Sequence, residues 1–314
     1  MEISVIIPTH SPHAERLHRV LAALRAQTLP AAGWEIILVD NDSQPPVDAA
    51  ALAASAPANF RIVREPQLGL SAARRRGLTE AQAPLCVLVD DDNVLAPDYL
   101  AHVIRLFAAH PRIGALGGRS VPEFETTPPS WVRQFDDLLA CRDLGAQPQI
   151  SNGLRDAATG RNRYPACAPI GAGLALRSEA AKIWLARADD TLFSDRRGAE
   201  LSSSGDNEIV LTLMQRGWEV AYFPELSLTH LIPSARLKAA YLARLNRGIQ
   251  KSWVEVLSGY DASPWPPVAA WTVPLRQLKA WFTYGAWSGF AGYIRWKGAC
   301  GHFRGRVRVT SQFR

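Results

Sequence analysis

Cysteine is scarce in this 314-residue sequence, and the few copies lie far apart. They form no C-x-x-C pair: Cys86, Cys141, Cys167 and Cys300. Structural zinc sites and dithiol redox centres use closely spaced pairs, and disulfide scaffolds use a denser framework. The sequence therefore indicates none of these, and we expect four buried free thiols in a reducing compartment.

Long hydrophobic runs are missing as well. The best candidate, residues 281–294, has 14 residues between Lys279 and Arg295. A transmembrane helix needs roughly 20 apolar residues. The opening stretch MEISVIIPTH has neither a basic leader nor a small-residue cleavage site. The sequence therefore predicts no membrane span and no secretory signal, and we expect a cytoplasmic protein.

Acidic residues are scarce in the last quarter of the chain. Residues 231–314 hold 13 Lys and Arg against two acids, Glu255 and Asp261, which gives a net charge of +11. Six of the ten tryptophans also lie there. No pattern of a nucleic-acid-binding module accompanies this charge, so we expect no nucleic acid partner. Two interpretations stay open: these aromatic side chains pack on the rest of the protein, or the segment contacts the cytoplasmic face of a membrane.

The sequence does contain a regular alternation of strands and helices. Its composition, 47% hydrophobic and 20% charged, is typical of a folded protein. The predicted strands cover residues 3–8, 34–40, 60–65, 85–90 and 113–118. The predicted helices cover residues 13–27, 47–56, 71–81 (with Ser71 as N-cap) and 98–109. This alternation predicts an α/β fold with a parallel, doubly wound sheet, which binds ligands at the carboxyl ends of its strands.

The regular pattern ends at Gly118. Residues 122–169 read as long loops with one short helix near 131–139. A strand and a helix opening near Ser178 follow, then a helix over 205–216 that ends at Gly217. A strand over 218–224 and the stretch LSLTHL come next. From residue 234 the chain is predicted to be helical.

Three acids directly follow the apolar run LCVLV: Asp90, Asp91 and Asp92. Carboxylates at this density repel one another unless a cation screens them. Mg²⁺ and Mn²⁺ prefer oxygen ligands and complete their shells with substrate phosphates. A D-x-D pattern after a strand predicts such a site, with Asp90 and Asp92 pointing to one side. The alternative is a solvated turn in which Asp92 or Asn93 caps the next element.

Six motifs in order resemble those of the inverting family 2 glycosyltransferases of GT-A fold. They are SVIIPTH, ILVDNDS, GLSAARRRGL, LVDDDN, GAGLALR and SSGDNEIVLTLMQRGWEVAYFPELSLTH. The resemblance covers residues 1–233 and implies a Rossmann-like, mostly parallel sheet flanked by helices. It implies a nucleotide-binding half over 1–118, an acceptor and catalytic half over 119–233, and a basic, Trp-rich helical extension over 234–314.

The resemblance also implies a site for a nucleotide-sugar donor. Its residues are Pro8, Thr9, Asp40, Asn41, Arg74, Asp90, Asp91, Gly171 and Gly173. Asn41 stands where the family often has an aspartate that accepts the base N–H, and its amide oxygen can still accept. Arg74 is expected near the diphosphate. For Arg75 and Arg76 a phosphate contact and a solvated helix face both remain open, and the two glycines either admit the sugar ring or serve close packing.

A divalent cation, Mn²⁺ or Mg²⁺, is implied at Asp90, Asp92 and His230. The alternative for His230 is a core or surface histidine without a ligand. Asp206 is the expected general base, because it matches the second acid of a family pair whose first position is Gly205 here. The alternative is that Asp206 only caps the following helix, with Glu208 as the fallback base. Trp131 either stacks on an acceptor sugar or anchors its loop.

The expected function is metal-dependent inverting transfer of a sugar to a glycan or lipid-linked acceptor in cell-surface polysaccharide biosynthesis. A nucleotidyltransferase is the alternative within enzymes, but PTHSPHAERLH lacks the glycine-rich basic loop that such enzymes carry after the first strand. A non-catalytic nucleotide- or glycan-binding protein on the same scaffold is the alternative outside enzymes. Asn41 and Gly205 favour that second alternative.

Overall fold

One sheet organises the fold in the computed structural model, which describes residues 1–52, 55–157, 159–187 and 204–307. Its first four strands are β1 (Ile3–Thr9), β2 (Trp34–Asp40), β3 (Phe60–Arg64) and β4 (Leu85–Leu88). They lie in the order β3-β2-β1-β4, and all neighbours are parallel. β1 and β2 are buried along their whole length because helices cover both faces of the sheet.

The remaining strands make the sheet mixed rather than wholly parallel. They are β5 (Asn93–Leu95), β6 (Ile113–Phe124), β7 (Gln149–Ser151), β8 (Ala175–Arg177) and β9 (Glu219–Ile232). The sheet continues as β4-β8-β6-β9-β5, and β7 also pairs with β9. β8 runs antiparallel to both of its neighbours, and β5 and β7 run antiparallel to β9. The predicted GT-A-type, mostly parallel arrangement thus holds for the first half, while the second half inserts reversed strands.

Two strands are longer than predicted because they pair with each other. β6 and β9 run parallel, with a register shift between Gly117 and Arg119. At this shift Gly118 lies against the carbonyl oxygens of Leu226 and Phe223, where a Cβ atom would overlap them. The predicted strand over 218–224 and the LSLTHL stretch therefore form one continuous strand.

The helices of the first 187 residues match the predicted pattern with two differences. They are α1 (Ala14–Arg25), α2 (Ala49–Leu52), α3 (Leu70–Glu80), α4 (Tyr99–Ala109) and α5 (Ser178–Leu185). α2 is a single turn, and part of its predicted range lies outside the described residues. The predicted N-cap of α3 is wrong: Gly69 takes that position with a φ of 146°, and Ser71 lies inside the helix. A left-handed φ of this kind favours glycine.

Residues 204–307 add four α-helices. They are α6 (Gly205–Gln215), α7 (Ala239–Gly259), α8 (Val273–Thr283) and α9 (Phe290–Gly305). A 3₁₀ helix, Ser130–Leu139, lies where the short loop helix was predicted. α7 packs on the body, since Tyr260 just beyond it shares a 2.7 Å hydrogen bond with Thr212 of α6, and the Trp253 ring lies 4.9 Å from that of Tyr164.

The sequence predicts free cysteines and no membrane-spanning helix. All four cysteines are buried free thiols, as predicted. Across the described ranges, no helix combines the length and the hydropathy that crossing a bilayer requires.

Candidate active site

A cavity of about 430 Å³ lies at the carboxyl ends of β1, β2 and β4. Such sheets bind their ligands at this edge. Ten of the sequence-predicted site residues line it: Pro8, Thr9, Asn41, Arg74, Asp90, Asp91, Asp92, Gly171, Asp206 and His230. These side chains come from positions as far apart as residue 8 and residue 230, so the fold gathers most of the predicted site in one place.

Two predicted residues lie beside the cavity rather than in its wall. The buried Asp40 carboxylate accepts the backbone N–H groups of Ser43 at 3.0 Å and Val47 at 3.1 Å, and so shapes the turn after β2. Gly173 has a φ of 72°, and a Cβ atom there would lie 2.5 Å from Tyr99 Oη. Its position is set by close packing, which was the alternative to a sugar contact.

Asp90, Asp91 and Asp92 form a tight turn between β4 and β5. The Asn93 N–H donates to the Asp90 carbonyl at 2.9 Å and closes the turn. Asp91 accepts a hydrogen bond from the Thr9 hydroxyl. Burial, reinforced by the charges of Asp92 and Asp90, raises the pKa of Asp91 to about 6. All three carboxylates thus face the cavity, but they have different neighbours.

The buried Asp92 makes contact with two cationic or ionisable side chains. His230 Nε2 lies 3.4 Å from Asp92 Oδ1, and Arg236 Nη1 lies 3.1 Å from Asp92 Oδ2. Arg236 Nη1 is also 3.2 Å from His230 Nε2. Burial lowers the pKa of Arg236, but the carboxylates, chiefly Asp92, more than offset this and raise it above its ordinary value. A permanent positive charge therefore stands beside Asp92.

Asp206 occupies the first turn of α6 and lines the cavity. Its Oδ2 atom accepts the Gly171 N–H at 2.8 Å. Gly171 also touches Arg74, because a Cβ atom at this position would lie 2.6 Å from Arg74 Nη2. Ser204 holds the N-cap position of α6 but makes no side-chain cap bond, whereas Asp206 Oδ1 accepts the Asn207 N–H of the first turn at 3.0 Å. Glu208 is buried in the same first turn of α6 and lies outside the cavity wall.

Asn41 holds the loop that enters α3. Its Nδ2 donates to the carbonyls of Glu65 at 3.0 Å and Gln67 at 2.8 Å. Its Oδ1 accepts the Gly69 N–H at 2.8 Å. The amide predicted to meet the base thus braces residues 65–69, and Leu68, Gly69 and Leu70 of this loop line the cavity.

The family model for glycosyl transferase family 2 matches residues 4–181, which is more than half of the chain. The chain belongs to glycosyl transferase family 2. The match confirms the predicted family and, with it, the predicted class of enzyme, a glycosyltransferase. It spans the acidic turn and Gly171, and it ends before α6.

Two curated relatives of this family 2 chain carry descriptive names. The succinoglycan biosynthesis protein ExoW of Rhizobium meliloti is 30% identical over 103 residues, 32% of this chain and 32% of ExoW. The glycosyltransferase AglE of Haloferax volcanii is 33% identical over 92 residues, 29% of this chain and 30% of AglE. This chain therefore matches only about a third of the length of each relative.

A solved structure shows the same fold. The mannosyltransferase PcManGT from Pyrobaculum calidifontis, in complex with GDP-Man and Mn²⁺, aligns with a TM-score of 0.55 and 17% identity. The alignment covers 96% of this chain and 72% of that one. The predicted GT-A fold is confirmed by this likeness and by the mixed sheet.

The predicted metal set of this family 2 chain is only partly assembled. Among the described residues, no three His, Cys, Asp or Glu side chains are grouped so that they could hold a metal ion. Asp92 and His230 are adjacent, whereas Asp90 lies toward Arg74, with Arg74 Nη2 3.5 Å from Asp90 Oδ1. The buried Asp90 Oδ1 atom has no hydrogen-bond partner. This donor set fits an ion held by one or two protein groups and completed by substrate phosphates.

Three other predicted candidates lie away from the cavity. Arg75 donates to the Leu185 carbonyl at 2.6 Å, and its guanidinium lies over the Trp184 ring. Arg76 pairs with Glu80 on the surface of α3 at 2.9 Å. Trp131 packs between Phe135 and Phe290, so it anchors its own helix.

Arg236 is the charged site residue beside Asp92 that the sequence did not reveal. The only signal was its place six residues after His230, and the predicted division at residue 233 put it in the C-terminal extension. Ile249 of α7 also lies across that division and lines the cavity. Asn207 is another lining residue that the sequence did not reveal, and its side chain accepts a 2.8 Å hydrogen bond from the Tyr164 hydroxyl. Burial and the charge of Asp206 raise the pKa of Tyr164 well above its ordinary value.

Proposed function

We propose that the chain transfers a sugar, with inversion, from a nucleoside-diphosphate donor to a hydroxyl of a glycan or lipid-linked acceptor. The observation that carries this proposal is the meeting of Arg74, Asp206 and the acidic turn in one cavity. The names of ExoW and AglE support polysaccharide or glycan synthesis as its context. The GDP-Man of PcManGT supports a nucleotide-sugar donor.

Asp206 is the general base of the proposed reaction. Its carboxylate takes the proton of the acceptor hydroxyl while the acceptor oxygen bonds to the anomeric carbon. The bond from that carbon to the phosphate oxygen breaks, and the nucleoside diphosphate leaves with the electron pair. Attack opposite to the leaving group inverts the configuration, as in inverting glycosidases with the acceptor in place of water. The Gly171 N–H holds Oδ2 and the Asn207 N–H holds Oδ1, so the carboxylate that lines the cavity has a fixed orientation.

The donor diphosphate is placed between Arg74 and Arg236. Both guanidiniums line the cavity, and guanidiniums pair well with phosphate oxygens. The nucleoside rests against Pro8, Thr9 and the loop that Asn41 braces. Because Thr9 also holds Asp91, the nucleoside wall and the acidic turn form one rigid unit.

Asp92 and His230 are the residues that would hold a divalent cation, with Asp90 close by. A bound Mn²⁺ or Mg²⁺ acts as a Lewis acid that stabilises the charge of the departing diphosphate. The Mn²⁺ of PcManGT supports this assignment. Arg236 already places a positive charge at the same carboxylate, so a cation there would share Asp92 with this guanidinium.

A panel of nucleotide sugars tests the proposed function. The release of nucleoside diphosphate is measured with each donor in Mn²⁺, in Mg²⁺ and in EDTA. We expect turnover with one donor, lost in EDTA and restored by Mn²⁺. Asp92→Ala is expected to lose this turnover as well. Donor binding without any turnover under all conditions would favour the non-catalytic alternative, and turnover unaffected by EDTA would remove the cation from the proposal.

A further inference from the structure

Six large apolar side chains stand exposed around α8 and form what we term the apolar patch. They are Trp271, Leu275, Leu278, Phe282, Trp287 and Phe290, and each is between 56% and 76% exposed. Soluble proteins rarely leave so many large apolar groups together in water unless the surface binds something. Elsewhere in the described chain, exposed large hydrophobic residues such as Ile150 stand singly.

The apolar patch is a built surface rather than a frayed end. Leu275, Leu278 and Phe282 are spaced by three and four residues, so they share one face of α8. Val273 and Ala280 are buried on the other face. The turn after α8 is held against the helix, because the Trp287 ring lies 5.7 Å from that of Phe282. The patch therefore presents its side chains in a fixed arrangement.

The charged residues in the sequence segment that carries the patch are of one sign. No Asp or Glu occurs after Asp261, while eight Lys and Arg occur in that stretch. Lys279 lies on α8 next to Leu275 and Leu278 and is itself exposed. Tryptophan and aliphatic side chains flanked by lysine and arginine suit the headgroup layer of an anionic bilayer. A second copy of the chain would bring two positive surfaces together, which like-charge repulsion opposes.

The patch is joined to the cavity through one aromatic contact. The Phe290 ring lies 5.5 Å from that of Trp131 in the 3₁₀ helix Ser130–Leu139. The end of the same helix contributes Asp137, Leu138 and Ala140 to the cavity wall. When this protein binds a bilayer through the apolar patch, its cavity wall therefore lies near the bilayer.

We propose that the apolar patch docks the protein on an anionic lipid surface and that the acceptor is lipid-linked. The first part is independent of the transferase reaction. The second part rests on the proposed function, because it names the class of acceptor that this same cavity uses. Leu278 and Phe282 enter the acyl boundary, and Lys279 stays at the phosphate level.

Vesicle co-sedimentation of the full chain tests the docking. Vesicles of phosphatidylglycerol and phosphatidylcholine are compared with vesicles of phosphatidylcholine alone, for wild type and for the double variant Leu278→Gln/Phe282→Gln. We expect wild type to bind the anionic vesicles, with a partition coefficient at least about tenfold lower in the double variant. Ile150→Gln, a single exposed apolar residue outside the patch, is the matched control and is expected to bind as wild type does.

Three results would overturn the proposed docking on lipid. Equal binding by wild type and the double variant, or no binding by wild type, excludes the patch as a lipid surface. A wild-type dimer that becomes a monomer in the double variant, measured by light scattering, assigns the patch to a second copy instead. Unchanged far-ultraviolet circular dichroism in the double variant shows that lost binding is not lost folding.

The acceptor class is tested by kinetics on two acceptors. We expect the double variant to lose at least about tenfold in turnover on a polyprenyl-phosphate-linked acceptor embedded in vesicles, and to keep wild-type turnover on a short-chain, water-soluble analogue. Equal loss on both acceptors would contradict a role in acceptor presentation. If the wild-type protein turned over neither acceptor, the proposed function would be contradicted, while the sedimentation result would still stand.

Discussion

Gly173 and Gly171 lie two residues apart in the same glycine-rich stretch, yet alanine should lower stability at Gly173 and turnover at Gly171. At Gly173 the backbone has a φ of 72°, and the new Cβ would lie 2.5 Å from Tyr99 Oη and 2.7 Å from Leu228 Cδ2. The left-handed backbone costs about 1–2 kcal/mol for a residue with a side chain. Overpacking costs about 1–3 kcal/mol. We therefore expect Gly173→Ala to lower the free energy of unfolding by about 2–5 kcal/mol.

Part of the stability loss in Gly173→Ala comes from the clash with the Tyr99 hydroxyl, which a second substitution can test. Tyr99 Oη donates to the Gly173 carbonyl at 2.6 Å, so the hydroxyl cannot simply move away from a new methyl group. Removing it by Tyr99→Phe relieves one of the two clashes. In a double-mutant cycle, Gly173→Ala should therefore cost about 1 kcal/mol less in the Tyr99→Phe background than in wild type.

Gly171→Ala is the matched control for the same stretch. Its Cβ would meet the end of the flexible Arg74 side chain at 2.6 Å, and no backbone strain arises. We expect a change in the free energy of unfolding below about 1 kcal/mol, with a clear loss of turnover because Arg74 must move. Equilibrium urea unfolding and steady-state kinetics measure the two effects. Unfolding of Gly173→Ala that matches wild type would refute the packing argument.

Two further substitutions test the cavity wall. Arg236→Gln removes the positive charge beside Asp92 and should lower kcat by at least about tenfold, since a charge-assisted hydrogen bond contributes about 1.5–3 kcal/mol. The control variant Arg76→Gln, on the surface of α3, should leave kcat unchanged. Equal kinetics for both variants would contradict the role of Arg236. Asn41→Leu removes three hydrogen bonds to the 65–69 loop and should weaken donor binding at least about tenfold by calorimetry, so an unchanged Kd would show that the loop does not form the nucleoside wall.

The first half of the fold was readable from the sequence because three of its four strands, β1, β2 and β4, are buried on both faces. The continuous apolar runs that end at Thr9 and Asp40 mark β1 and β2 almost to the residue. The helix over α1 was equally clear, since Leu17, Val20, Leu21 and Leu24 recur at helical spacing and are buried. In such segments the local pattern and the tertiary environment agree.

The second half was less readable because its pairing is decided over long distances. β8 has three residues, and nothing within Ala175–Arg177 states that its neighbours will be β4 and β6 in reversed direction. The length of β9 follows from its pairing with β6, and its own sequence contains Pro224 near the middle. Strand direction and strand length were therefore set by partners that a local pattern does not contain.

The same distinction separates the site residues. Asp40 and Asn41 are adjacent polar residues at the end of one strand, and the sequence assigned both to the donor. Their side chains diverge, so Asp40 closes its own turn while Asn41 reaches across to Gly69. Arg236 stayed hidden because it lies beyond the motif that ends at His230. Its role depends on the 3.1 Å contact with Asp92, which comes from the fold.

In the proposed reaction, Asp206 accepts the proton of the acceptor hydroxyl. Asp206→Asn keeps the size of the side chain and an oxygen for the Gly171 N–H. Donor affinity and turnover are measured for this variant beside Glu208→Gln, which changes a buried acid of the same helical turn. We expect wild-type donor affinity in both variants, turnover lowered by about 10²–10⁴ in Asp206→Asn, and near wild-type turnover in Glu208→Gln. Wild-type turnover in Asp206→Asn, or a comparable loss in Glu208→Gln alone, would contradict this role of Asp206.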